Sequence, residues 1–138
     1  METGLSFADL EPESDERFVT LRRSLGVSTF GLNQIRLQPR QRGRIHRHLR
    51  QEEVYLVLDG TLTLIVEGQE HVLERGRLVR VAPNLRRQLV NASDAPVLLI
   101  ALGGSEEHAG RDGEAFIDWE DTEPGPPQSV PMPDDLPA

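Results

Sequence analysis

The chain has 138 residues, 37% of them hydrophobic, 28% charged and none of them cysteine, with a formal net charge of −8 at pH 7. That length carries one domain with a core of its own and is too short for two. Disulfides and thiolate metal sites are excluded, no apolar run is long enough to span a bilayer, and no basic-then-apolar leader opens the chain, so a cytoplasmic protein without membrane contact is expected.

The charge is unevenly spread. Residues 1 to 16 carry six acids and no base, and they lack hydrophobic periodicity, so they read as an acidic N-terminal arm. From 17 to 104 the chain holds 14 of the 15 basic residues, all arginine, against seven acids. This stretch is a series of short strands, expected near 17–22, 31–38, 43–48, 53–58, 61–67, 70–74, 78–82, 86–91 and 97–102. Turn signals separate several of them: Asp59-Gly60, Glu67-Gly68, Arg75-Gly76, Pro83-Asn84 and Ser93-Asp94. Many short strands with no long helical pattern argue for an all-β sandwich or barrel. The runs 61–66 and 97–102 are apolar on both faces for part of their length, which predicts strands covered on both sides. Residues 105 to 138 form an acidic, proline-rich C-terminal arm, with six of the ten prolines after position 123. An extended or disordered tail is expected there. Phe116-Ile117-Asp118-Trp119, between barrel and tail, reads as an anchor docking this arm, with a lid as the alternative. Aromatics are 4% of the chain, too few to stack bases, so nucleic-acid binding is not expected.

One pattern carries chemistry: His46-x-His48-x4-Glu53-x6-Gly60. Residues i and i+2 of a strand share a face and lie roughly 6.6 Å apart, so both imidazoles can reach one point. Leu49-Arg50-Gln51-Glu52 connects to the next strand, and Asp59-Gly60 turns it back. That strand can therefore bring the Glu53 carboxylate beside the histidines. Glu52 would face the other way. Tyr55, two residues after Glu53, should also point inward, either as a pocket phenol able to donate a proton or as a wall residue. His71 lies in a hairpin and is expected at the surface.

With these residues in view the chain resembles the cupin superfamily, specifically its small conserved-barrel members, over residues 18 to 103. That family's first motif is G-x5-H-x-H-x3,4-E-x6-G. His46, His48, Glu53 and Gly60 match it, whereas Arg40 occupies the leading glycine's slot. The second motif is G-x5-P-x-G-x2-H-x3-N. Gly76 and Asn91 match, but Ala82, Asn84 and Arg87 stand in the proline, glycine and histidine slots. The resemblance implies a double-stranded β-helix, or jelly-roll barrel, and a divalent ion (iron, manganese, nickel or zinc) held by His46, His48 and Glu53. In this family the missing histidine is a fourth ligand. Arginine has no lone pair to offer, and its charge opposes a cation. Arg87 can swing away, share an anionic ligand with the metal, or pair with Glu53 in a metal-free pocket. His108 is a remote candidate for the lost ligand.

The function expected from all this is a cupin barrel binding a metal and a small anionic organic ligand, with Arg87 and Arg44 as candidate anion contacts. A metal-dependent oxygenase or isomerase is the enzymatic form of this reading, with Tyr55 as candidate catalytic residue. The alternatives are a metal-free binding or sensory module, with Arg87 paired to Glu53, and a purely structural dimeric module. A homodimer is the expected assembly.

Overall fold

A computed structural model describes residues 4–104 and 112–137. Its strands are β1 (Phe18–Val19), β2 (Gly31–Leu37), β3 (Ile45–His48), β4 (Glu52–Asp59), β5 (Leu62–Val66), β6 (Gln69–Leu73), β7 (Leu78–Val81), β8 (Arg87–Val90), β9 (Val97–Gly104) and β10 (Gly113–Phe116). They form two five-stranded sheets, ordered β1-β2-β9-β4-β7 and β10-β3-β8-β5-β6. Every pairing is antiparallel. The chain crosses repeatedly from one sheet to the other, which is the jelly-roll arrangement.

Alternation along the strands builds the core. Ile35 and Leu37 on β2, Tyr55 and Val57 on β4, Leu62 and Leu64 on β5, and Val97, Leu99 and Ala101 on β9 all point into the space between the sheets. Residues i and i+2 share a face, so each strand sends one row inward. β9, at the centre of its sheet, also buries Leu98 on its other face, as its two-sided apolar run predicts. Burying these side chains is the main favourable term in folding a barrel of this size.

Turn chemistry sets the registers that matter for the site. Gly60 sits at φ 79°, and a Cβ there would stand 2.4 Å from the Pro96 carbonyl oxygen, so the hairpin after β4 needs glycine. Two motif slots that lack glycine keep its left-handed conformation: Arg40 at φ 73° and Asn84 at φ 71°. Asparagine adopts that region readily. Arg40 is held there by its own bonds, donating to the Ala92 carbonyl at 2.7 Å and to Asp94 at 2.6 Å. Asn91 is a fully buried knot, donating to the Leu37 and Ala95 carbonyls and accepting from Ser93.

Two elements differ from the expectation. The strand expected over 17–22 ends after Val19, and a short helix α1 (Leu21–Leu25) follows, closed by Gly26 at φ 73°. A glycine after the last helical residue is a stop signal, and this one donates to the Arg22 and Arg23 carbonyls. The second difference is β10, in the stretch assigned to the C-terminal arm, which pairs with β3 over four residues and completes the second sheet. Phe116 is buried in it, Ile117 faces solvent, and Trp119 packs against the Arg86 guanidinium.

Beyond β10 the chain bends back, and Gly125 bonds Ala115 in both directions. It then makes one 3-10 turn at Pro127–Ser129 and runs extended along the barrel. The Val130 carbonyl accepts from Arg44, the Asp134 carbonyl from Arg42, and the Leu136 N–H reaches the Arg40 carbonyl. The proline-rich tail is thus a strap pinned by barrel arginines. Among the described residues no helix is long and apolar enough to cross a membrane.

Candidate metal centre

β3 and β4 bring the two parts of the motif together. His46 and His48, on one face of β3, direct their Nε2 atoms at the Glu53 carboxylate at 3.8 and 3.6 Å. The three ligand atoms all lie within 4.8 Å of one another. Donors held about 2.1 Å from a common ion stand about 3.0–3.5 Å apart, so only a small contraction separates this arrangement from a coordination sphere. His46 Nδ1 lies 3.3 Å from the Arg44 carbonyl oxygen. A carbonyl only accepts, so Nδ1 carries a proton and Nε2 is the ring atom turned toward Glu53. The donor set therefore suits a divalent cation, with two imidazole nitrogens and one carboxylate. Glu52 turns outward, as alternation predicts, and pairs with Arg80 at 2.6 Å.

Glu53 is held as an anion. Burial alone would raise its pKa, but hydrogen bonds and charge from His46 and His48 outweigh that and keep it well below the usual carboxylate range. Its Oε1 accepts a short hydrogen bond from the Tyr55 hydroxyl. Tyr55 is inside the barrel, and burial, followed by the neighbouring Glu53 charge, pushes the phenol well above its ordinary value. It keeps its proton and serves Glu53 as a donor.

Arg87 stands opposite His46 in the β3–β8 register and is fully buried. Its Nη1 donates to the Leu85 carbonyl at 2.9 Å, and its Nε is 3.9 Å from Glu53 Oε1. It does not line the cleft beside the triad. Arg44 does, with Nε committed to the strap at Val130. His71 is exposed on β6. His108 lies outside the described residues.

The cleft has two compartments that meet at Asn33, His48, Glu53 and Ala101. One, of about 330 Å³, has apolar walls that include Phe18, Ile35, Leu89, Pro127 and Met132. The other, of about 230 Å³, includes Thr20, Arg22, Asn33 and Gln51. Size alone does not single out the triad, since an apolar hollow of about 390 Å³ also opens between β6 and β7. That hollow offers His71 but no group of metal ligands. Arg22, Pro127 and Met132 escaped the sequence reading. Arg22 was hidden by the strand expected over 17–22, and the two tail residues by the absence of any periodicity in the tail.

The family model of the cupin domain matches residues 33–103, a little over half of the chain. The chain belongs to the cupin-domain family. Solved structures of the same fold bear on the match. A cupin protein from Bacteroides fragilis is 23% identical, covering 79% of this chain and 88% of that one at a TM-score of 0.66. A sugar phosphate isomerase of the cupin superfamily from Silicibacter pomeroyi is 25% identical, covering 84% and 79% at a TM-score of 0.61. A Cupin 2 conserved barrel domain protein from Salinispora arenicola is 21% identical, covering 70% and 82% at a TM-score of 0.59. No curated protein matches the chain.

Proposed function

We propose that this cupin holds a divalent metal ion at His46, His48 and Glu53 and takes a small anionic organic ligand in the adjoining cleft. The convergence of the three ligand atoms within 4.8 Å carries the reading. Bound there, the ion would supply Lewis acidity toward an oxygen of the ligand. The chain's own residues do the rest. Tyr55 donates to Glu53 and orients its carboxylate. The Arg44 carbonyl fixes the His46 tautomer. The apolar walls of the larger compartment, closed by Pro127 and Met132 of the strap, exclude water from the ligand's body. Isomerisation stands ahead of oxygenation on one ground, the likeness to a barrel named a sugar phosphate isomerase.

One observation favours the metal-free alternative, the 3.9 Å approach of Arg87 to Glu53. A single experiment divides the two. Protein purified without a metal-affinity tag is analysed for transition metals, then titrated with iron(II), manganese, nickel and zinc. Stoichiometric uptake that is lost in His48→Ala and retained in His71→Ala is expected. No uptake of any of the four would overturn the metal reading and leave the binding module.

A further inference from the structure

We infer that the polar compartment beside the triad is an anion subsite and that Arg22 of α1 receives the ligand's carboxylate or phosphoryl group. This rests on reading the cleft as a ligand site, and it gives the ligand's charged end a place of its own.

The first observation is a distribution of unsatisfied atoms. Among the described residues, the buried side-chain atoms without a hydrogen-bond partner are Arg22 Nε, His48 Nδ1, Arg87 Nε and Arg87 Nη2. All are nitrogens, three of them permanent donors. Two of them, Arg22 Nε and His48 Nδ1, belong to residues that line one compartment of the cleft, while Arg87 does not line it and stands 3.9 Å from Glu53. Buried polar groups in folded proteins are almost always paired, so a cluster of unpaired donors marks a place where an acceptor is missing. An oxyanion is the guest that supplies several acceptors at once.

The second observation is charge. Arg22, Arg44 and Arg87 gather around a centre whose own carboxylate is Glu53. A divalent ion would add to the positive excess, and an anionic ligand offsets it. Of the three arginines, Arg87 is fully buried and bonded to Leu85, and Arg44 has its Nε on the strap. Arg22 has no ion pair among the described residues, and its backbone is fixed because its carbonyl accepts from Gly26 and Val27 at the end of α1. Thr20 and Asn33 stand with it in the same compartment and add hydroxyl and amide groups. About 230 Å³ suits a head group and a few further atoms rather than a large ligand.

The test is calorimetric titration of the full chain, metal-free and manganese-loaded, with glycerol 2-phosphate, glycolate and the neutral control ethylene glycol. The variants are Arg22→Met, Arg22→Lys and, one residue on, the exposed Arg23→Met. The wild type should bind at least one of the two anions and not ethylene glycol. Binding of the phosphate ester alone identifies a phosphoryl group, and binding of glycolate alone a carboxylate. Arg22→Met should weaken that binding about tenfold or more, with Arg22→Lys between it and the wild type. Arg23→Met should bind like the wild type, and metal uptake should be the same in all variants. Wild-type affinity in Arg22→Met, an equal loss in Arg23→Met, or no anion binding tighter than about 10 mM would overturn the assignment. The two readings fail separately. Anion binding that depends on Arg22 without metal uptake removes the metal and keeps the subsite. Metal uptake with anion binding indifferent to Arg22 does the reverse.

Discussion

Glu53 connects everything at the centre. It faces His46 and His48 on one side, accepts from Tyr55, and lies within ion-pair range of Arg87. A carboxylate that must serve a cation needs a fixed orientation, and the groups around a metal ligand set how strongly it binds. Tyr55 supplies that orientation, because its phenol stays protonated in the barrel and so remains a donor. Tyr55→Phe removes the donor and keeps the ring in the core. It should lower metal affinity about tenfold while leaving the far-ultraviolet circular dichroism unchanged, as read by titration against a competing chelator. Unchanged affinity would mean that the histidines alone position Glu53. Tyr55 lines the cleft as its place two residues along β4 predicts, and its hydroxyl is bonded to Glu53.

At the scale of elements, the site depends on β3, and β3 is flanked by β8 and β10. β10 covers the open edge of β3 and buries Phe116, while the next residue, Ile117, is 69% exposed. Phe116→Ala should therefore cost about 3–5 kcal/mol of stability by chemical denaturation, whereas Ile117→Ala should stay within about 0.5 kcal/mol. A loss below about 1 kcal/mol at Phe116 would show that β10 unfolds independently of the barrel. The motif strands were legible in the sequence because period-2 alternation, the Asp59-Gly60 turn and the His-x-His spacing all describe contacts made within a few residues. β10 was not, because four residues flanked by acids make no pattern, and the strand exists only by pairing with His46 and His48, far earlier in the chain. α1 lost to β-propensity in Phe18-Val19-Thr20, although Gly26 marks its end. Arg87 was legible as a departure from the family motif. Its depth was not, because spacing does not tell whether a guanidinium reaches a cleft or lies beneath it.

Among the described residues most ion pairs lie at or near the surface. Arg40–Asp94, Arg80–Glu52 and Arg86–Glu67 are ion pairs with at least one exposed partner, and each adds little to stability in water. Glu53 differs because only 13% of its side chain is exposed and its folded-state pKa is strongly depressed, whereas Glu67 is lowered by Arg86 at the surface. In the unfolded chain it titrates near the ordinary value of about 4.3. Below that pH the unfolded chain takes up a proton that the folded protein still refuses, so acid favours unfolding. The contribution of Glu53 is complete above the ordinary value and is lost as the pH falls through it toward the depressed folded value. Glu53→Gln cannot titrate there. In urea denaturation with chelator present, so that loss of metal does not intrude, wild-type stability should fall more steeply than that of Glu53→Gln from about pH 5 to pH 3. Parallel falls would show that the carboxylate gains nothing from the histidines in the metal-free barrel, and that the charge at this centre is held in place by the ion alone.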